Sequence, residues 1–316
     1  MNLSQARRSL SAIRSADKDM PFSPRIPSVF DWLEPQGSAT SYIARLASVV
    51  AVLGFIAWLA LIGFLRKEEA SIVFRAGSTH WQDGTFDTKV FQMVTFATAD
   101  GLKLEGVRSA IEVKAPSYWI LFCVPSGATI RNAGVQRQLQ KLSSLGYGVM
   151  TFDYRGFGRN PGTPTEAGVY ADALAAYRYL TQEYGVGPSR VILAGRSLGS
   201  AVAVETATRV PAAGLVLLSP IDSVPLTGAR AYWWIPVRRL ATYRFDNLAK
   251  IEHVNGPVLV VHATDDELVP VRVARDLFAR IPARRLMIET DGGHNDAGFG
   301  GDRKLADALR RLWPPT

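Results

Sequence analysis

A serine between two glycines is the first candidate for chemistry in this sequence. Residues Gly195–Gly199 read G-R-S-L-G and match the G-x-S-x-G pattern, in which a serine nucleophile sits on a tight turn between a strand and a helix. A strand-like segment, Arg190–Ala194, precedes the pattern, and a helical segment, Leu198–Val210, follows it. A glycine-rich turn that only caps a helix is the alternative interpretation. The flanking segments favour Ser197 as a nucleophile, because the two glycines permit the strained turn that the pattern requires.

A serine becomes nucleophilic at neutral pH only beside a general base. The chain has four histidines, which are His80, His253, His262 and His294. Where this turn occurs in a strand–helix fold, the partners follow in the order serine, acid, histidine, and that order excludes His80. His262 ends a predicted strand and is expected to be a packed, hydrogen-bonded core residue, and His253 lies in a polar connection. His294 is the expected base, because it follows the last predicted strand in a loop of Gly, Asn and Asp that can present it.

The acid of such a site is expected after a strand that lies between the serine and the histidine. The predicted strand Val258–His262 leads into Asp265, Asp266 and Glu267, and any of the three could orient the imidazole. Helix N-capping is the other interpretation of this acidic cluster, but a proline places the start of the next helix farther along the chain. Asp222 also follows a strand and is a weaker alternative. On the residues alone, the identity of the acid stays open.

The elements that would hold these residues alternate regularly along the chain. Alternating strands and helices predict a mainly parallel sheet with helices on both faces, and in such folds chemistry lies at the carboxyl ends of the strands. The expected domain covers residues 74–316, with 221–250 as a short cap-like insertion. The predicted strands are Val90–Phe96, Leu102–Val107, Tyr118–Val124, Gly148–Phe152, Arg190–Ala194, Leu215–Leu218, Val258–His262 and Arg285–Ile288, of which the first two form a hairpin. The predicted helices are Val135–Leu145, Val169–Tyr184, Leu198–Val210, Val271–Ile281 and Arg303–Leu312.

A long apolar run precedes this domain. Leu46–Leu65 contains no charged residue and no proline, and as a helix it would extend about 30 Å, the thickness of a hydrocarbon core. A buried helix of a soluble core is the alternative, but so long an uncharged run favours a single-pass transmembrane helix over residues 43–67. A cleaved signal peptide fits poorly, because forty-odd residues precede the run. The membrane is therefore the expected location, through residues 46–65.

Basic residues lie on both sides of this helix, so the positive-inside rule does not favour one orientation. The side of the membrane that the domain occupies is therefore not predicted. Residues 1–42 are rich in Ser, Pro and Arg and are expected to form a disordered tail, with a short helix around Ser4–Arg14.

The composition of the chain limits the classes of partner that it is expected to bind. With 47% hydrophobic and 20% charged residues, the 316-residue chain is ordinary for a globular protein. Its net charge of +8 favours acidic partners or an anionic membrane surface, but no nucleic-acid-binding motif accompanies that charge, so no nucleic-acid partner is expected. A single cysteine, Cys123, excludes an internal disulfide framework and a zinc site built on several thiolates. Nothing in the sequence predicts the oligomeric state.

Three further blocks carry a family resemblance. Residues 262–270 read HATDDELVP and resemble the pattern H-G-x-x-D-x-x-V-P, residues 292–296 read GGHND, and residues 153–158 read DYRGFG. Over roughly residues 91–313 the chain therefore resembles the alpha/beta-hydrolase superfamily, in particular the membrane-associated branch with acylglycerol lipases, lysophospholipid lipases and acyl-protein thioesterases. The resemblance implies an alpha/beta-hydrolase fold and places the acid on Asp266.

The resemblance also implies a membrane-anchored serine hydrolase that needs no metal or organic cofactor. Ser197 would attack a carboxylic ester or thioester carbonyl, His294 would move the proton and Asp266 would orient the imidazole. An acyl-serine intermediate would form, and water would release the acid. The expected anchor favours lipid-like acyl substrates. A peptidase or amidase on the same scaffold is the first alternative, because these three residues do not distinguish an ester from an amide.

One block departs from the pattern of these relatives. They usually carry His-Gly after the strand Tyr118–Val124, where this chain has Pro125-Ser126. Proline has no backbone N–H, so the expected oxyanion donors are the backbone N–H groups of Leu198 and Gly127. The departure supports a second alternative, a non-catalytic membrane-tethered binding protein.

The insertion carries an aromatic run, Tyr232–Pro236, which reads Y-W-W-I-P. These side chains are expected to line an acyl pocket or to touch a bilayer surface. Packing on the core beneath a long loop is an equal alternative.

Overall fold

The computed structural model describes residues 39–76, 90–110, 116–296 and 303–315 of the chain. Within these ranges, eight strands form one sheet in the order β1-β2-β4-β3-β5-β6-β7-β8. The pairs β1–β2 and β2–β4 are antiparallel and the other pairs are parallel, which confirms the predicted mainly parallel sheet and its initial hairpin. The strands are β1 Phe91–Ala97, β2 Lys103–Ser109, β3 Trp119–Cys123, β4 Gly148–Phe152, β5 Val191–Arg196, β6 Gly214–Leu218, β7 Val258–Ala263 and β8 Arg285–Thr290.

The helices follow the predicted alternation with some additions. They are α1 Ala39–Lys67, α2 Glu69–Phe74, α3 Ala133–Ser144, α4 Glu166–Arg178, α5 Leu198–Arg209, α6 Val224–Ala231, α7 Val237–Leu240, α8 Asn247–Lys250, α9 Val271–Ala279 and α10 Arg303–Leu312. The predicted helix Val169–Tyr184 is α4 followed by a π-helical turn, Tyr179–Glu183. The short helices α2, α6, α7 and α8 were not predicted.

The middle of the sheet is buried on both faces. Every residue of β3, β4, β5, β6 and β7 is buried, as expected for short apolar strands that helices cover on both sides. The strands β5, β6, β7 and β8 are neighbours in that order, so the loops at their carboxyl ends meet along one edge. The predicted serine, acid and histidine follow β5, β7 and β8, and the sheet therefore brings all three to this edge.

Helix α1 is long and apolar. Its 29 residues have a mean hydropathy of 2.5 over the most apolar window, and none is buried, so the helix is long and apolar enough to cross a membrane. The predicted apolar run lies inside it. The helix begins at Ala39, four residues before the predicted start, because no proline follows Pro35 to block its first turn. The expected helix around Ser4–Arg14 lies outside the described residues.

The chain divides into two compact units, Met1–Gly63 and Phe64–Thr316, and α2 belongs to the second. The Phe74 side chain is fully buried there and packs edge-on against Tyr243 and Phe245, with ring centroids 5.1 and 5.8 Å away. One carboxylate oxygen of Glu69 accepts the backbone N–H groups of Thr242 and Tyr243 at 2.7 and 3.0 Å. Helix α2 is thus fastened to the segment that follows α7.

Candidate active site

Ser197 lies alone between the end of β5 and the start of α5. Its φ of 50° and ψ of −119° are unusual for a residue with a side chain. The two glycines of the pattern are needed for close packing. A Cβ on Gly195 would overlap the carbonyl oxygen of Gly199, and a Cβ on Gly199 would overlap the carbonyl oxygen of Cys123. The helix can approach the sheet this closely only because both residues lack a side chain, and Ser197 is thereby placed on the turn.

The structure brings together the three residues that the sequence singled out. His294 Nε2 lies 2.9 Å from Ser197 Oγ, and His294 Nδ1 lies 2.8 Å from Asp266 Oδ2. The side chains are buried, with 9%, 6% and 6% of Ser197, Asp266 and His294 exposed. An ionised carboxylate can only accept, so Nδ1 carries the imidazole proton and Nε2 is left to accept from the serine hydroxyl. This is the arrangement in which a histidine can act as the base for the serine.

Asp266 is held in the ionised form by several donors. Its Oδ1 accepts the backbone N–H groups of Leu268 and Val269 at 3.0 and 2.7 Å. Burial alone would raise the pKa of this carboxyl group, but hydrogen bonds from His262, His294 and the Val269 N–H together hold the pKa of Asp266 below its usual range. The acid therefore remains a negatively charged acceptor at neutral pH.

His262 is the fully buried, hydrogen-bonded core residue that the sequence predicted. Its Nε2 lies 2.7 Å from the Val269 carbonyl oxygen and 3.2 Å from Asp266 Oδ2. A carbonyl oxygen can only accept, so Nε2 carries the proton. The contact with Asp266 was not foreseen, although the spacing of the two residues within HATDDELVP was available as a signal. His262 thus contacts the same carboxylate oxygen of Asp266, Oδ2, that His294 contacts.

The backbone of His294 is also fixed. Its N–H donates to Glu267 Oε2 at 3.0 Å, and its carbonyl oxygen accepts from Arg196 Nη2 at 3.1 Å and from Ser219 Oγ at 3.0 Å. The sequence did not predict that Glu267, Arg196 and Ser219 contact the His294 backbone. Each contact joins segments that are distant in the chain, and no local pattern records it. Together the contacts hold the histidine loop against β5 and β6.

The other acid candidates are placed elsewhere. Asp265 is exposed, and Glu267 contacts the backbone of His294 and not its ring. Asp222 forms an ion pair with Arg230, with 2.7 Å between Oδ2 and Nη1. Asp266 is the candidate whose carboxylate contacts the imidazole.

The two expected oxyanion donors differ in their surroundings. Leu198 is the first residue of α5, and its N–H lies at a helix N-terminus, where backbone donors lack partners within the helix. The Gly127 N–H, in contrast, donates to the Phe74 carbonyl oxygen at 2.8 Å. Helix α2 ends at Phe74, so no backbone N–H of the helix donates to the Phe74 carbonyl oxygen. The Gly127 N–H is therefore occupied in this conformation, and its role as an oxyanion donor stays a prediction.

A cleft of about 940 Å³ opens beside Ser197 and His294. Its apolar lining residues include Phe122, Val135 and Leu268. The charged side chains in the lining of the cleft are those of Arg75, Arg137, Lys141, Arg196, Glu267 and Asp296.

The aromatic run of the insertion lies outside this cleft. Tyr232, Trp233 and Trp234 are absent from its lining, and 46%, 83% and 51% of these residues are exposed. Packing on the core is therefore wrong for these three side chains, whereas Ile235 is buried. The run leaves the core because it joins the short helices α6 and α7 at the surface.

Comparison with known proteins gives relatives over most of the chain. An uncharacterised protein of Mycobacterium tuberculosis (strain CDC 1551 / Oshkosh) is 33% identical over 277 residues, which are 86% of this chain and 96% of that protein. Alpha/beta hydrolase domain-containing protein 17B of Homo sapiens is 34% identical over 161 residues, 50% of this chain and 54% of that protein. A family model described as serine aminopeptidase, S33, matches residues 123–250.

Solved structures show the same fold. An alpha-beta hydrolase of Vibrio vulnificus superposes with a TM-score of 0.62 at 20% identity, over 79% of this chain and 92% of that one. An esterase of Pyrococcus furiosus superposes with a TM-score of 0.58 at 19% identity, over 74% of this chain and 98% of that one. With the sheet order, the serine turn and these likenesses in agreement, the chain belongs to the alpha/beta hydrolase superfamily.

Proposed function

We propose that this chain is a membrane-anchored serine hydrolase that cleaves a carboxylic ester or thioester through an acyl-serine intermediate. The observation that carries the proposal is the continuous hydrogen-bonded chain from Ser197 through His294 to Asp266, which opens onto a large cleft. The likeness to hydrolases, among them a protein named as an esterase, supports the general class.

The geometry supports the following sequence of steps. Ser197 Oγ attacks the substrate carbonyl while His294 Nε2 takes the hydroxyl proton. His294 then gives this proton to the leaving oxygen or sulfur, which departs and leaves the acyl group on Ser197. A water molecule, activated by the same imidazole, attacks the acyl-serine and releases the acid. Throughout, Asp266 holds the imidazole orientation and stabilises its positive charge.

The negative charge that develops on the carbonyl oxygen needs backbone donors. The N–H of Leu198, at the N-terminus of α5, supplies the first. The N–H of Gly127 supplies the second once it leaves the Phe74 carbonyl oxygen. Loss of one such donor costs about 10²–10³ in rate, so the position of the Phe74 carbonyl matters for turnover.

Membrane anchoring is part of the proposal. Helix α1 is long and apolar enough to cross a bilayer, and Arg66 and Lys67 form its last turn, where basic side chains can reach lipid headgroups. A single-pass anchor would hold the domain beside lipid-like acyl substrates.

Two alternatives have an observation in their favour. The description of the matching family model as a serine aminopeptidase favours peptide or amide cleavage on the same scaffold. The occupied Gly127 N–H favours a non-catalytic binding protein. Turnover of matched ester and peptide substrates separates the first alternative from the proposal.

The direct test is labelling of the detergent-solubilised full chain with a fluorophosphonate. The wild type and a Ser144→Ala control, which changes an exposed serine at the end of α3, are expected to label equally. Ser197→Ala is expected to abolish labelling and His294→Ala to reduce it strongly, because the serine then lacks its base. A folded wild type that does not label would overturn the proposal in favour of a binding protein.

A further inference from the structure

The charges around the cleft are unevenly distributed. Four basic side chains line it, namely Arg75, Arg137, Lys141 and Arg196, against two acidic ones, Glu267 and Asp296. Both carboxylates accept backbone hydrogen bonds from the loop that carries His294. Glu267 accepts the His294 N–H at 3.0 Å, and Asp296 accepts the Gly293 N–H at 2.8 Å. The lining therefore contains more basic than acidic side chains.

Two of the basic residues come from one face of α3. Arg137 and Lys141 are four positions apart on this helix, a spacing that places both side chains on the same side. Gly134 and Val135 line the cleft from the first turn of the same helix. Helix α3 starts a few residues after the Pro125–Ala128 loop, so the basic pair and this loop line the same cleft from one continuous part of the chain.

Arg75 also lines the cleft, and the residue before it, Phe74, contacts this loop through Gly127. It follows α2 in the left-handed conformation, with φ 52°, and the buried Phe74 beside it fixes its backbone. Arg196 lies deeper, next to the serine. Burial lowers the pKa of Arg196 to about 10, so the guanidinium remains charged at neutral pH. Asp296 and Asp266 interact with this guanidinium, so the basic side chains left to meet a substrate anion are those farther along the chain from the serine, on α3 and after α2.

We propose that the cleft selects acyl esters or thioesters whose leaving group carries an anion, of the phosphate, sulfate or carboxylate type, and that Arg137 and Lys141 recognise it. This selectivity rests on the proposed serine hydrolase function and adds a substrate class to it. Guanidinium and ammonium groups are the side chains that pair best with such anions. The apolar lining residues Phe122, Val135 and Leu268 are suited to contact with the acyl chain.

The test compares two esters that differ by one charge, 3-octanoyloxy-4-nitrobenzoate and its methyl ester, with the full chain in a nonionic detergent. The wild type is expected to give a higher kcat/KM for the anionic ester. In the Arg137→Gln/Lys141→Gln double variant the ratio of the two kcat/KM values should fall by about tenfold, which is the size expected for two partly exposed charge contacts. The fall in the ratio should come from the anionic ester, because the methyl ester lacks the charge that the two side chains would contact.

A second double variant controls for the overall charge of the protein. Arg310→Gln/Arg311→Gln on α10 removes the same number of charges from exposed positions that do not line the cleft, and it should leave the ratio unchanged. Addition of about 0.5 M salt should reduce the wild-type ratio, because screening weakens contacts between exposed charges.

The outcomes separate this proposal from the function on which it rests. Hydrolysis of both esters with no preference, or a preference that survives in the Arg137/Lys141 variant, overturns the anion proposal and leaves the hydrolase standing. Hydrolysis of neither ester overturns the hydrolase. Calorimetric titration with hexyl phosphate then tests the anion site by itself. Binding to the wild type that is lost in the Arg137/Lys141 variant supports the site. No binding to the wild type, or equal binding to both proteins, overturns it.

Discussion

Ser197 occupies a backbone conformation that costs free energy. Residues with a side chain rarely adopt φ 50° and ψ −119°, and such positions cost of the order of 1–3 kcal/mol. Neighbouring hydrogen bonds hold it there. The Ser197 N–H donates to the Leu218 carbonyl oxygen at 3.0 Å, and Ser200 Oγ donates to the Ser197 carbonyl oxygen at 2.6 Å. The strained residue is thus tied to β6 and α5, which keeps Oγ within 2.9 Å of His294.

His262 is expected to act as a positioning residue for the acid. In His262→Ala the buried Val269 carbonyl oxygen would lose its donor, and the free energy of unfolding should fall by about 1–3 kcal/mol. Ester turnover should fall as well, because Asp266 would hold His294 less firmly. Chemical unfolding and kcat measure the two effects, and His262→Gln, which keeps a donor, should restore part of both. Full kcat in a destabilised His262→Ala protein would limit the role of His262 to packing.

Asp153 should make stability depend on pH. Burial raises its pKa from the usual 3.8 to about 7, so the folded protein holds a proton that the unfolded chain has already lost. Stability should therefore fall as the pH rises from about 4 to about 7 and change little from this cause above that range. Asp153→Asn keeps an acceptor for the Ile130 N–H and should remove this trend. Thermal unfolding at about pH 4.5 and about pH 8 tests it, and parallel trends in variant and wild type would contradict it.

At the scale of elements, α2 contacts the Pro125–Ala128 loop, which carries the proposed oxyanion donor Gly127. Its Glu69 carboxylate accepts two N–H groups near Tyr243, and its last carbonyl, that of Phe74, occupies the Gly127 N–H. Glu69→Ala should loosen α2 and raise kcat with little change in KM, because the Gly127 N–H becomes available to the oxyanion. Glu69→Gln retains an acceptor oxygen and should behave like the wild type. A drop in kcat for a folded Glu69→Ala protein would show that the Phe74 contact supports the productive loop.

The packing of α5 on the sheet gives a second prediction at this scale. A Cβ at Gly199 would collide with the carbonyl oxygens of Cys123 and Val124, so Gly199→Ala should cost about 1–3 kcal/mol or more. Gly187 provides a matched control, because it has a φ of −57° and open space where a Cβ would lie. Gly187→Ala should be neutral or stabilise by about 0.4–1 kcal/mol. Thermal unfolding of both variants measures the difference, and equal effects would refute the packing argument.

The sequence was sufficient for the features that local patterns record. Alternating apolar segments predicted the eight strands, and the glycine turn and the chain order selected Ser197 and His294, which the structure places in hydrogen-bond contact. Helix α6 also had a local signal that was overlooked, since Ser223 accepts the Leu226 N–H as an N-cap and a proline follows it.

The missed features depend on distant contacts. Phe74 is buried because Tyr243 and Phe245, far along the chain, pack around it. The occupation of the Gly127 N–H follows from that burial, so no reading of the Pro125–Ala128 block alone could predict it.

At the scale of the whole molecule, α1 should decide where the protein resides. A charged side chain at the centre of a membrane span costs about 2.5–3.5 kcal/mol. Leu53→Arg/Ala57→Arg should therefore move the chain from the carbonate-resistant membrane fraction to the soluble or extractable fraction. Leu53→Ala/Ala57→Leu keeps the helix apolar and should remain in the membrane. Retention of the arginine variant in carbonate-washed membranes would contradict a spanning role for α1.

The single cysteine has a practical consequence for membrane topology. Cys123 is buried at the end of β3, and burial raises the pKa of its thiol to about 12, so almost no reactive thiolate exists at neutral pH. A cysteine introduced at Thr40 or at Ser71, exposed positions on either side of the apolar run, would then be the one reactive thiol of the chain. A maleimide that cannot cross membranes would label only the position that faces it. Because its own cysteine does not react, the native sequence can be used without a cysteine-free background to map which compartment holds the cleft.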